Sequence, residues 1–156
     1  MRGLLSNRVA CLAALLLLLG ATAVVAAGAT SPAVTVSDAW IRWLPANLPA
    51  GGYLTLRNDS DRPATLTAVS SPDYDEITLH RTSLQANVNT MQPVQRIAIP
   101  PHQSVSFAAS GYHIMLEHAT RPLQPGDRVS MMLHFDDGST LTVPFELRTA
   151  DAGAPP

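Results

Sequence analysis

Two histidines and two methionines recur at offsets that suit a soft metal ion. His80, Met91, His113 and Met115 follow the pattern His-x10-Met-x21-His-x-Met. Thioether sulfur is a soft, neutral donor, and soft sulfur donors select Cu(I). Imidazole completes such a site without adding charge. The sole cysteine, Cys11, sits close to the N-terminus. The rest of the chain therefore lacks the thiolates of zinc fingers, iron–sulfur clusters and blue copper centres. The expected ligand is one Cu(I) per chain.

Strands must position these four side chains. Short segments of alternating or apolar character recur between turn signals, the pattern of an all-β sandwich or barrel. The expected strands cover 34–43, 53–57, 65–69, 76–80, 94–99, 104–107, 112–116, 128–135 and 140–145, with Asp136-Asp137-Gly138 as a hairpin turn between the last two. No 11-residue window carries a helical period. Side chains two apart on a strand share a face, roughly 6.6 Å apart along it. In 76–80, Ile77 and Leu79 face the core, leaving Thr78 and His80 on the other side. In 112–116, Tyr112, Ile114 and Leu116 face the core, so His113 and Met115 share the outward face. Residues 87–93 lack alternation and read as a loop that drops Met91 over the site.

The N-terminus indicates the compartment. Arg2 and Arg8 precede an apolar run at 12–19, and Ala27-Gly28-Ala29 offers an A-x-A cleavage site. This is the pattern of a secretory signal peptide, too short in its apolar part for a spanning helix of roughly 20 residues. Cys11 precedes that run, which is the wrong side for a lipoprotein cleavage site. The expected organisation is a signal peptide at 1–29, one β domain at 30–148 and a disordered tail at 149–156. A periplasmic protein follows. Losing Arg2 and Arg8 with the leader takes the formal charge from −2 to −4. All ten basic residues are arginine and none cluster, so nucleic acid is an unsuitable partner.

Other constellations are weaker. Met132 and His134 are also two apart on one face, but nothing is placed to complete a site with them. His118, three beyond Met115, is a candidate fifth neighbour. His102 and Arg81 read as surface residues, and Asp73, Asp75 and Glu76 as a solvated turn. Asn58-Asp59-Ser60 fits a glycosylation sequon. No G-x-S-x-G, phosphate-binding glycine loop or H-E-x-x-H is present, so no enzyme activity is expected.

At the four motif residues the chain resembles the periplasmic copper chaperones of the PCuAC type, whose signature His-x10-Met-x21-His-x-Met it carries without insertion. Val36-Ser-Asp-Ala-Trp40-Ile-Arg42, Gly51-Gly-Tyr-Leu-Thr-Leu56, Ser110-Gly-Tyr-His-Ile-Met115 and Arg121-Pro-Leu-Gln-Pro-Gly-Asp127 are similar to that family too, over roughly 34–147. The resemblance implies a cupredoxin-like Greek-key β-barrel. It implies one Cu(I) held by the four residues, and delivery to the CuA centre in subunit II of cytochrome c oxidase, often beside a Sco-type protein. Some members add Cu(II) capacity through a His- and Met-rich tail; this tail has neither residue. Two alternatives stay open: a metal-free β-sandwich that binds a protein partner, and a general copper-tolerance or storage protein.

Overall fold

The computed structural model describes residues 33–45, 48–86 and 88–152. The leader at 1–29 and the end of the tail at 153–156 lie outside them. Among the described residues there is no helix. Ten strands run in chain order: β1 (Val34–Arg42), β2 (Ala50–Asn58), β3 (Ala64–Ser70), β4 (Tyr74–Gln85), β5 (Val88–Pro93), β6 (Ile97–Ile99), β7 (Ser104–Ser106), β8 (Tyr112–Ala119), β9 (Arg128–Phe135) and β10 (Thr140–Arg148).

Alternation is clearest in β9 and β10, whose buried positions recur every second residue. In β9, Val129, Met131, Leu133 and Phe135 are buried while Ser130 and Met132 face water, as their period of two requires. In β2, Leu54 and Leu56 are buried. The β9–β10 connection is the expected turn: Gly138 takes φ +82°, which glycine reaches without penalty, and Ser139 donates to Asp137 through both its amide and its hydroxyl.

The strands form one mixed sheet in the order β5-β4-β8-β2-β1-β10-β9-β3-β6, with β7 also paired to β2. β1 and β10 run parallel, Trp40 opposite Glu146 and Arg42 opposite Arg148. The other pairings are antiparallel. The sheet curls on itself, so that Leu66 of β3 and Leu79 of β4 share one core with Ile41, Ile114 and Phe145. This is an all-β, cupredoxin-like architecture. A bulge between Ser37 and Trp40, with Asp38 at φ +56°, interrupts the β1–β2 register, and bulges of this kind re-aim the residues that follow.

Several expected boundaries change. β4 is much longer than 76–80, because its second half pairs with a strand the sequence did not reveal. Residues 94–99 shorten to Ile97–Ile99, since Val94 instead donates its amide to Leu79 across the chain reversal. Trp43 falls beyond β1, and β10 extends past Phe145 to Arg148. Asn58 does not point into solvent as a glycosylation acceptor would. It is fully buried, its amide nitrogen donates to the carbonyls of Arg62 and Ile99, and its Oδ1 accepts from Ser60.

Candidate metal centre

The β4–β8 ladder brings the site together. His80 stands directly opposite His113, and Thr78 directly opposite Met115. Facing residues in an antiparallel pair have Cα atoms roughly 4.5–5.5 Å apart, and here the two imidazole centroids lie 5.8 Å apart at 49°. Thr78, His80 and Thr82 alternate onto one face of β4, and Met91 of β5 stands opposite Thr82. All four motif residues thus share one face of the three-stranded segment β5-β4-β8.

Met91 corrects the sequence expectation. It belongs to a strand, not to a loop. β5 is a sheet edge with nearly every residue exposed. Solvent lies on both faces of an edge hairpin, so burial imposes no alternation, and periodicity cannot signal such a strand. Met91 is half exposed, at 50%.

A second correction concerns His113, expected to face outward. It is buried, at 6% exposure, although it lies on the face opposite the core. That face is covered here. Arg42, Tyr53, Ala109, Met91 and Met115 join His113 around an open cleft of about 110 Å³. Tyr53 packs on Trp40 with ring centroids 4.9 Å apart. Gly51, opposite Met115 on β2, leaves the space that Tyr53 fills: a Cβ at position 51 would lie 2.7 Å from the Tyr53 hydroxyl.

Each histidine uses one ring nitrogen in a hydrogen bond within the sheet. His113 Nδ1–H donates to the Gly111 carbonyl at 3.2 Å. A carbonyl only accepts, so Nδ1 carries the proton and Nε2 keeps its lone pair. In His80, Nε2 pairs with Thr78 Oγ1 at 2.9 Å, and Nδ1 is buried with no partner among the described residues. The threonine hydroxyl can accept or donate; the tautomer in which Nε2–H donates to it is the one that leaves a lone pair on Nδ1 for an ion. A buried polar atom without a partner costs about 1–3 kcal/mol, and coordination of an ion removes that cost. Backbone or side-chain bonds that fix the ligand tautomer in this way are the usual support of a metal-binding histidine.

The electrostatics point the same way. Burial pushes the His113 pKa below its ordinary value; the bond to Gly111 opposes this, and His80 and Arg42 add to it. His113 is therefore neutral at physiological pH, the state a ligand needs. Among the described residues no group of three or more His, Cys, Asp or Glu side chains is placed to hold a metal. The constellation depends on its thioethers, and a donor set of two imidazoles and two thioethers fits a soft monovalent ion.

The remaining candidates fall elsewhere. His134 bonds Ser70 at 2.8 Å on the β9–β3 surface with Met132 beside it, and among the described residues no cluster of three His, Cys, Asp or Glu side chains forms there. His118, at φ +56°, turns to Glu76 at 3.6 Å and does not join the site. His102 pairs with Asp61 at 2.8 Å on the surface. Asp73 is an anchor, not a solvated residue, bound by Arg121 at 2.6 Å. Arg81 lies over the Tyr112 ring, 5.3 Å from its centroid. Sequence reasoning missed Arg42 and Tyr53 as members of the site. The Trp40-Ile-Arg42 and Gly51-Gly-Tyr53 segments carried the only signal, through family resemblance.

Residues 34–147 match the family described as "Putative lipoprotein LpqE-like". A protein of Leifsonia xyli subsp. xyli named "Putative lipoprotein Lxx21020" is 31% identical over 117 residues, 74% of this chain and 70% of that one. The solution structure of Cu(I)-DR1885 from Deinococcus radiodurans superposes with a TM-score of 0.64 at 30% identity, covering 80% of this chain and 85% of that one. The copper-bound PCuAC domain of PmoF2 gives 0.64 at 23% identity over 76% of this chain and 95% of that domain; at that identity the likeness is one of fold. The chain belongs to the LpqE-like lipoprotein family and is built on the PCuAC fold, as its resemblance to the PCuAC-type copper chaperones implies.

Proposed function

We propose that this protein is a Cu(I) carrier that acts outside the cytoplasm, in the periplasmic space, and hands one copper ion to the CuA centre in subunit II of cytochrome c oxidase. His80, Met91, His113 and Met115 hold the ion. The observation that supports the reading is that two imidazoles and two thioethers share one face of the β5-β4-β8 segment, Met91, His113 and Met115 around one cleft and His80 directly opposite His113. The Cu(I)-bound state of the 30% identical Deinococcus radiodurans protein supports copper as the cargo, and the lipoprotein family supports a place outside the cytoplasm.

The same donor set explains release. Neutral donors hold Cu(I) without a thiolate, so an acceptor offering cysteine sulfur wins on softness. Met91 sits on an edge strand at the open side of the cleft, where it can leave the ion first. A docked acceptor can then replace the ligands one at a time, ending at the buried His113. The process is transfer, with no bond of a substrate made or broken. A Sco-type protein could work beside it on the same acceptor.

The test is a Cu(I) competition titration against a chromophoric chelator under reductant, with wild type beside His113→Ala and Met115→Ala. One equivalent of Cu(I), weakened in both variants, is expected. The loaded protein should then metallate the soluble domain of subunit II, seen as growth of the CuA absorption. Binding indifferent to both substitutions would overturn the site, and transfer no faster than from free Cu(I) would overturn the acceptor.

A further inference from the structure

Among the described residues, Arg42 is the one charged side chain lining the cleft that also holds Met91, His113 and Met115. Its Nε is buried and, among the described residues, has no hydrogen-bond partner. Among the described residues no carboxylate lies within ion-pair distance of its guanidinium, whereas Arg57, Arg96, Arg121 and Arg148 each have one. Arginine stays protonated at any physiological pH. A cation site bordered by a fixed, uncompensated positive charge is unusual, because that charge repels every ion the site could take.

We infer that Arg42 sets the charge selectivity of the site, holding down its affinity for divalent ions more than for Cu(I). The inference rests on the copper reading above. Repulsion scales with the charge of the bound ion. At an effective dielectric of about 20, two unit charges roughly 12 Å apart, a little more than two strand spacings of about 4.8 Å, shift an equilibrium about tenfold. A monovalent ion meets that penalty once and a divalent ion twice. Thioether softness disfavours hard divalent ions already, but Cu(II) binds N and S donors more tightly than the other common divalent metals. Arg42 supplies discrimination on the axis where ligand chemistry is weakest. It also keeps the Cu(I) affinity moderate, which a carrier needs for release.

The position suits this role. Arg42 ends β1, paired to Gly51 of β2 and to Arg148 of β10. Gly51 in turn stands opposite Met115, so the arginine is one strand removed from a ligand. Backbone pairing on both sides holds it there, and its own side chain has no competing ion pair.

The experiment measures Cu(I) and Cu(II) affinities separately, each by chelator competition, for wild type, Arg42→Met, Arg42→Gln and Arg42→Lys. The two charge-free variants should tighten Cu(II) about tenfold more than Cu(I). The Cu(II)/Cu(I) potential of the bound ion should then fall by about 59 mV, the one-electron equivalent of a tenfold ratio. Arg42→Lys, which keeps the charge, should leave the ratio within about threefold of wild type. Two charge-free variants keep the comparison independent of either one's folding. An unchanged ratio in the charge-free variants, with Cu(I) still bound at one equivalent, would overturn the role of Arg42 alone. A ratio shifted equally in Arg42→Lys would assign the effect to shape and overturn it too. Wild type that binds no Cu(I) would overturn both this inference and the copper reading beneath it.

Discussion

Replacing Met91 with leucine should separate copper binding from folding. Met91 is 50% exposed on the outer strand of the sheet. Full burial of such a side chain is worth about 1.5–3 kcal/mol, so its half-buried contribution is roughly 1 kcal/mol, and leucine retains nearly all of it. The change in unfolding free energy should stay within about 0.5 kcal/mol, the range of ordinary surface substitutions. Copper affinity should respond quite differently. Groups that merely support a metal ligand are typically worth about 10–100-fold in affinity, so losing a direct thioether donor should cost at least about tenfold. Urea unfolding of the apo protein and Cu(I) competition titration give the two numbers. Met132→Leu is the control: Met132 is similarly exposed, at 40%, but lies on β9 away from the site. An unchanged Cu(I) affinity in Met91→Leu would refute the idea that the edge strand supplies a ligand and would leave a three-donor site. An equal loss in Met132→Leu would refute the assignment of either sulfur.

Three other outcomes are expected. His113 has a lowered pKa in the folded state, so the unfolded chain takes up a proton at pH values where the folded chain refuses it. Apo stability should therefore fall as pH drops through the ordinary histidine value of about 6.5, and His113→Gln should flatten that part of a Tm-against-pH curve. Gly52→Ala should destabilise the protein by about 1–3 kcal/mol by overpacking, because the new Cβ would meet Ile114 Cβ at 3.1 Å and Leu116 Cδ1 at 3.3 Å; denaturant unfolding reports it. Asn58→Ala should cost about 2–6 kcal/mol in the same assay, since it leaves the Ile99 carbonyl buried without this donor, worth about 1–3 kcal/mol, and removes the part-buried bonds to Arg62 and Ser60, worth about 0.5–1.5 kcal/mol each.

Much of the architecture is legible in the residues alone. A period of two places Val129, Met131, Leu133 and Phe135 inside and identifies β9, and the same rule puts His113 and Met115 together on one face of β8. Spacing and ligand softness bring out the four candidate ligands and the ion they suit. These are local properties, fixed by the pleat and by donor chemistry whatever the rest of the chain does. Other features depend on which strands become neighbours. Pairing of β5 with β4 turns 88–93 into a strand, because the edge of a ladder satisfies backbone groups without asking for an apolar pattern. The bulge before Trp40 and the parallel pairing of β1 with β10 bring Arg42 and Tyr53 over the face that alternation assigns to solvent. His113 is buried, and its pKa lowered, for that reason. A strand's own sequence states which side chains share a face; whether that face meets water, a guanidinium or another strand is decided by the long-range pairing that closes the sheet.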